Sequence, residues 1–185
     1  MGVRRRQKSI EMRRAERAEI DDPALVLAAA LRFLEARPRS TAEVRRRLLT
    51  NGYRPDLVDG CVERLLDLGI LDDEAFARTW VESRDRARPR GERALRSELA
   101  RKGIDRAVTD EVLDDREAEH PEADADAARR VLARHASALA RVADPRARRQ
   151  RAYALLARSG FDSETATDVI RSEVTSDSGQ ASDVT

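Results

Sequence analysis

The chain has 185 residues, of which 38 % are charged, yet its formal net charge is only +1. Length allows one ordinary domain or an array of smaller units, and the charge balance excludes an extreme polybasic nucleic-acid binder. A single cysteine, Cys61, excludes an internal disulfide and reads as a small buried apolar residue of a protein in a reducing compartment.

Aromatics make up 3 % of the chain while Ala, Leu, Arg and Glu dominate, a composition that favours helix. Nothing alternates with period two over a strand's length, so an all-α chain without strands is expected. No apolar run is long enough to span a bilayer, and the N-terminus lacks the apolar core of a signal peptide. A cytoplasmic protein is expected, with no membrane partner.

Residues 1–22 open the chain with little apolar spacing, and the first twenty carry seven basic and three acidic residues. They read as a basic, flexible or loosely helical arm. Asp22-Pro23 then starts a helix, the carboxylate as cap and proline in the first turn, with Leu27, Ala30, Leu31 and Leu34 as its inner face. Ser40-Thr41-Ala42-Glu43 has capping-box spacing for a second helix ending at Gly52. Pro55 starts a third, with Leu57, Val58, Cys61, Val62 and Leu65 in helical phase up to Gly69.

The plan then repeats. Ala36-Arg-Pro-Arg-Ser40 matches Ala87-Arg-Pro-Arg-Gly91 at an offset of 51, which also carries Val44 to Leu95, Leu48 to Leu99, Gly52 to Gly103, and Cys61-Val62 to Val112-Leu113. In the second copy Asp72 caps a helix whose apolar stripe is Phe76, Ala77, Trp80 and Val81, continued by Arg84. A third copy follows at longer spacing. His120-Pro121 opens its first helix and Asp144-Pro145 its second; the second ends at Gly160-Phe161, and the last helix holds Val169 and Ile170. Each copy holds two of the six aromatics, one small core apiece.

The expected architecture is an elongated tandem array of three three-helix repeats: 23–71, 72–119 and 120–174, followed by a disordered Ser/Asp-rich tail over 175–185. A unit of about 50 residues buries little apolar surface alone, so neighbours must stack, which gives an extended binding face rather than a pocket.

Signals for catalysis are weak. Asp72-Asp73-Glu74 reads as a helix cap, and Asp110, Glu111, Asp114 and Asp115 read as a solvated face. Neither has the His or Gly spacing of an ion site, and no Gly-rich phosphate loop is present. His120 and His135 lack a triad arrangement. No enzyme, cofactor, metal or small-molecule substrate is expected. The arginines are better candidates: between Arg78 and Arg106 ten basic residues face five acids. Arg37, Arg39, Arg88 and Arg90 occupy equivalent turns, while Arg93, Arg96, Arg101 and Lys102 extend the patch along the next helix. Arg84, in phase with Phe76 and Trp80, can pack its stem on a core while its guanidinium reaches a carboxylate or phosphate. The patch suits a phosphate backbone or an acidic protein face, and residue types alone do not separate the two.

Leu71-Asp72-Asp73, Phe76-Ala77, Trp80-Val81, Arg84, Gly91, Leu95-Arg96, Glu98-Leu99 and Lys102-Gly103-Ile104 resemble the RecX family of bacterial recombinase regulators. The similarity extends over roughly residues 24–174 and includes Leu155-Leu156-Ala-Arg-Ser-Gly160-Phe161. It implies an array of three-helix modules lodged in the groove of a RecA–DNA filament, where it restrains ATP hydrolysis, strand exchange and filament growth. It also implies direct, weaker and salt-sensitive binding to single- or double-stranded DNA. A monomer is expected. The alternative is a stand-alone, sequence-tolerant DNA-binding protein gripping phosphates through its Arg-rich turns and basic arm.

Overall fold

The computed structural model describes residues 11–179, with side chains described to residue 173. The described residues are all-α. After a helical stretch over 11–18 come nine helices in three sets of three. The first set is α1 (Pro23–Leu34), α2 (Thr41–Asn51) and α3 (Pro55–Asp67). The second is α4 (Asp73–Ala87), α5 (Glu92–Lys102) and α6 (Arg106–Glu119), and the third α7 (Ala123–Ala140), α8 (Pro145–Arg158) and α9 (Ser163–Gly179).

Local chemistry sets most boundaries. Asp22 accepts from Ala24 N at 2.8 Å and Asp144 accepts from Ala147 N at 3.0 Å, each just before a proline that needs no N–H partner. Ser40 and Glu43 form the capping box reciprocally. Asp72 accepts from Ala75 N at 2.9 Å. Gly103 follows α5 at φ 78, where any Cβ would strain the left-handed turn.

The chain separates into two compact units. One comprises residues up to Phe76 together with Arg101–Asp105; the other comprises Ala77–Ala100 and everything from Arg106. The middle set is thus divided, the first turn of α4 and the last of α5 belonging to the first unit. The first unit's core is Val26, Ala30, Val44, Leu48, Val58, Cys61, Val62, Leu65 and Leu71. Burial pushes the Cys61 thiol up, as suits an inert core residue. In the second unit a core forms from Ala127, Ala128, Val131, Leu132, Ala152, Leu156, Phe161, Ala166 and Val169. The register of 51 holds in burial: Val44 and Leu95, Leu48 and Leu99, and Cys61-Val62 and Val112-Leu113 are all buried.

A shared interlock accompanies that register. In the first unit Thr41 N donates to Asp73 Oδ1 at 2.8 Å, and in the second Glu92 N donates to Asp124 Oδ2 at 3.0 Å, both residues of each pair displaced by 51. A carboxylate at the start of one set's first helix therefore caps the second helix of the set before it. Glycine makes the accompanying approach possible. A Cβ on Gly103 would lie 2.3 Å from Ala42 Cβ, and one on Gly160 would lie 2.3 Å from Ala94 Cβ.

Several expectations are revised. Of the flexible and helical alternatives for the arm, its described part takes the helical one: residues 11–18 are helical, Ile20 packs on the first core, and Arg17 donates to Asn51 O at 3.3 Å and stands 5.8 Å from the Tyr53 ring. Residues 1–10 lie outside the described residues. On α1 the fully buried positions are Val26 and Ala30, whereas Leu31 is exposed. His120-Pro121 precedes α7, which begins at Ala123. Tyr153 is 41 % exposed, so the third core rests on Phe161 instead of two aromatics. Helix α9 runs on to Gly179, into the tail expected to be disordered, and 180–185 lie outside the described residues.

Candidate partner-binding site

The nine predicted cations fall in both units: Arg37, Arg39, Arg101 and Lys102 in the first, Arg84, Arg88, Arg90, Arg93 and Arg96 in the second. Each group is built on an Arg-Pro-Arg turn, and the two turns are held differently.

In the second unit the turn before α5 is clamped by backbone. Gly91 N donates to Ser159 O at 3.1 Å, and Gly91 has no room for a side chain, since a Cβ would lie 2.4 Å from Phe161 N and 2.5 Å from Gly160 C. Pro89 and Ser159 are buried, and Arg134 Nη1 donates to Ala87 O at 2.9 Å. On this base Glu98 gathers three neighbours. It accepts from Trp80 Nε1 at 2.9 Å and from Arg84 Nε at 2.5 Å, and lies 3.8 Å from Arg90 Nε. The Arg84 guanidinium stands 4.2 Å over the Trp80 ring, a cation–π contact that fixes its plane. Its side chain is 23 % exposed and Glu98's 14 %, so the pair is largely shielded. The contact with Glu98 is made through Arg84 Nε, one edge of the guanidinium.

Arg96 is used internally as well. It donates to Glu92 at 2.6 Å and to Asp110, and these bonds raise its pKa above the ordinary value although burial opposes them. Arg88 and Arg93 are exposed and have no acidic partner among the described residues. Arg116, which residue spacing did not single out, is a half-buried cation of the second unit. It donates twice to Asp85, at 2.9 and 3.0 Å, and once to Asp124, at 2.7 Å. Burial works against its charge, but the two carboxylates outweigh it and its pKa is raised.

In the first unit a serine stands where the second has Gly91. Ser40 is fully buried, and its hydroxyl donates to Lys102 O at 2.6 Å while accepting from Glu43 N at 3.2 Å. Lys102 Nζ donates to Glu43 Oε1 at 2.8 Å, and the weaker Arg37–Glu43 contact is 3.8 Å. Burial alone would raise the Glu43 carboxyl; the Lys102 bond and charge, the Ser40 N–H and Arg37 together hold it below its ordinary value. Arg39 lies 4.2 Å over the Phe33 ring, with Arg47 5.5 Å from the same ring. Arg101 is exposed. Phe33 and Arg47 stand beside the predicted cations but were not singled out by residue spacing; the signal was the register itself, which sets Arg47 against Glu98.

The comparisons with known proteins agree with this architecture. The model of the RecX first three-helix domain matches residues 27–65, and that of the second three-helix domain matches residues 72–113. A regulatory protein RecX from Mycolicibacterium vanbaalenii is 36 % identical over 155 residues, covering 80 % of this chain and 81 % of that protein. The chain belongs to the RecX family. A RecX regulatory protein from Chlorobium phaeobacteroides is 34 % identical over 147 residues, covering 77 % of this chain and 92 % of its own. The crystal structure of RecX from Lactobacillus salivarius shares the fold with a TM-score of 0.72, at 20 % identity over 82 % of this chain and 96 % of that one. RecX relatives are named regulatory proteins, and no helix among the described residues is long and apolar enough to cross a membrane.

Proposed function

We propose that this RecX-family chain is a non-catalytic cytoplasmic regulator that binds the RecA–DNA filament and restrains its ATP hydrolysis, strand exchange and growth. The observation that carries the reading is the second unit's arginine corner. Arg84 is stacked on Trp80 and pinned by Glu98, and beside it Arg88 projects from a turn that Gly91 locks to the backbone at Ser159. Preorganised guanidiniums lose little freedom on meeting an acidic or phosphate-bearing surface, so more of each contact's energy appears as affinity.

The test is the DNA-dependent ATPase of RecA titrated with the purified protein. The rate should fall towards a plateau, and Arg84→Ala and Arg88→Ala should each raise the half-inhibitory concentration about tenfold, in line with one charge-assisted contact. Helix content should stay unchanged. An unaltered ATPase rate at saturating protein would end this reading.

A further inference from the structure

Each set ends its second helix on a glycine in the left-handed region: Gly52 after α2, Gly103 after α5 and Gly160 after α8, at φ 100, 78 and 92. At Gly103 and Gly160 the set before seals that turn. Ser40 Oγ donates to Lys102 O at 2.6 Å, while Ala42 leaves no room for a Cβ on Gly103. Gly91 N donates to Ser159 O at 3.1 Å, while Ala94 leaves none on Gly160. The pattern is one bond to the carbonyl just ahead of the glycine and one close approach to its bare Cα. Both suit a helix C-terminus, which leaves carbonyls without partners and takes its left-handed cap most readily from a residue lacking Cβ.

The turn at Gly52 is sealed by the same two contacts from a different source. Arg17 Nη1 donates to Asn51 O, the carbonyl just ahead of the glycine, at 3.3 Å. A Cβ on Gly52 would lie 2.6 Å from Arg14 O and 2.8 Å from Arg14 Cα. Both arginines belong to the helical stretch 11–18, which buries little surface of its own: residues 11–16 and 18 are exposed, Met12 at 62 %. Just beyond it Ile20 packs on the first core and Asp21 pairs with Arg54. A third element of the pattern is used differently. Asp73 and Asp124 each cap the second helix of the set before, whereas Asp22, at the same register position, caps its own helix through Ala24 N.

We propose that helix 11–18 is a strap: on the first set it takes the place that a preceding set takes on the other two, and it detaches as a unit while α1–α3 stay folded. The two-point attachment carries the assignment, because a helix merely resting on this face would have no reason to meet both the carbonyl and the glycine. Detachment follows from the burial. A segment whose side chains stay in water gives up little apolar contact on leaving, so it opens at far lower free energy than the core beside it. Leaving bares the Gly52 turn, the Asn51 carbonyl and the Tyr53 ring, 5.8 Å from Arg17, so the strap governs access to that face.

Hydrogen exchange of the full chain, read amide by amide, tests this. In the parent, residues 15–18 should exchange more slowly than unstructured peptide yet faster than the slowest amides of α1, the signature of a local opening. Gly52→Ala forces a Cβ onto the Arg14 backbone, which no side-chain rotation relieves, and should abolish the protection of residues 15–18. Gly69→Ala is the control. It carries the same kind of left-handed strain, at φ 64, but has open space around it, so residues 15–18 should keep their protection within about twofold. Arg17→Ala, which alters neither backbone nor turn, should lower that protection about fivefold, the worth of one hydrogen bond. The slowest amides of α1 should stay protected throughout. Unprotected residues 15–18 in the parent, equal effects of the two glycine variants, or loss of α1 protection together with the strap in Arg17→Ala would each overturn the proposal.

Discussion

The Arg-Pro-Arg corners of the first and second units show how a duplicated scaffold diverges while its core stays fixed. Val44, Leu48, Leu95 and Leu99 are buried alike, and the same pair of backbone caps, Thr41 to Asp73 and Glu92 to Asp124, recurs in register. What differs is the anchoring of each turn and the sign at one helical position. One corner rests on the Ser40 hydroxyl and holds two guanidiniums against Phe33; the other rests on bare Gly91 and balances two guanidiniums with Glu98. Packing tolerates little change where the sets interlock, so divergence collects in surface charge, which costs the fold far less.

The sharpest break should come at the anchors. Gly91→Ala forces a Cβ to within 2.4–2.5 Å of the backbone of Gly160 and Phe161, and no side-chain rotation relieves that contact. Denaturant unfolding should show a loss of about 3 kcal/mol, the upper end of the range for overpacking. The corresponding change in the first unit, Ser40→Ala, introduces no clash but removes a helix cap and the bond to Lys102 O. It should cost about 1–2 kcal/mol. Equal losses would mean that the two turns are held in the same way after all.

The helical repeat and its caps were legible from residue spacing because a cap, a proline and a 3.6-residue period are local signals. Asp22-Pro23, Ser40 with Glu43, Pro55 and Asp144-Pro145 all begin helices as spacing suggests. The division of the middle set was not legible, since it depends on which neighbour each turn of α4 and α5 meets. The arginine patch was legible as composition but not as chemistry. Arg84, Arg90 and Arg96 have their acids 14 or fewer positions away, yet only the folded chain shows which cations are already balanced. Arg47 escaped notice because, taken alone, it is one more basic residue on an exposed helix face.

Transplanting the charge pattern would sharpen the contrast. Glu98→Arg gives the second corner the sign of the first while removing the acceptor of Trp80 Nε1 and Arg84 Nε. Stability should fall by about 2 kcal/mol, since a largely buried acceptor with charged donors is lost. Oligothymidylate affinity should rise severalfold, about the effect of one added phosphate contact. A variant that unfolds no more easily and binds no more tightly would show that Glu98 does not balance this corner.

Acid titration separates the corners more gently. The Glu43 carboxyl is depressed below its ordinary value of 4.5, whereas Ala94 holds the matching position. A depressed carboxyl contributes stability that is fully present above its unfolded-state pKa and is lost as pH falls through the lower folded-state value. Unfolding free energy should therefore decline below about pH 4.5, with Glu43's share near 1 kcal/mol, the size of a helix-cap interaction. Glu43→Gln should remove that share of the acid-side slope.

The smallest effect tests whether the register extends to surface ion pairs. Arg45 pairs with Asp59 and Arg96 with Asp110, each fourteen residues apart and each displaced by 51. Their side chains are between 36 and 51 % exposed, so solvent screens both pairs and each should couple by only about 0.5 kcal/mol in a double-mutant cycle. The Arg96 cycle should give the larger value, because Glu92 also binds that guanidinium and limits its freedom before Asp110 is met. Both couplings should shrink in high salt. If the Arg45 pair proved the stronger, the prior bond to Glu92 would not be what orders Arg96, and the divergence of the corners would have left this part of the duplicated scaffold untouched.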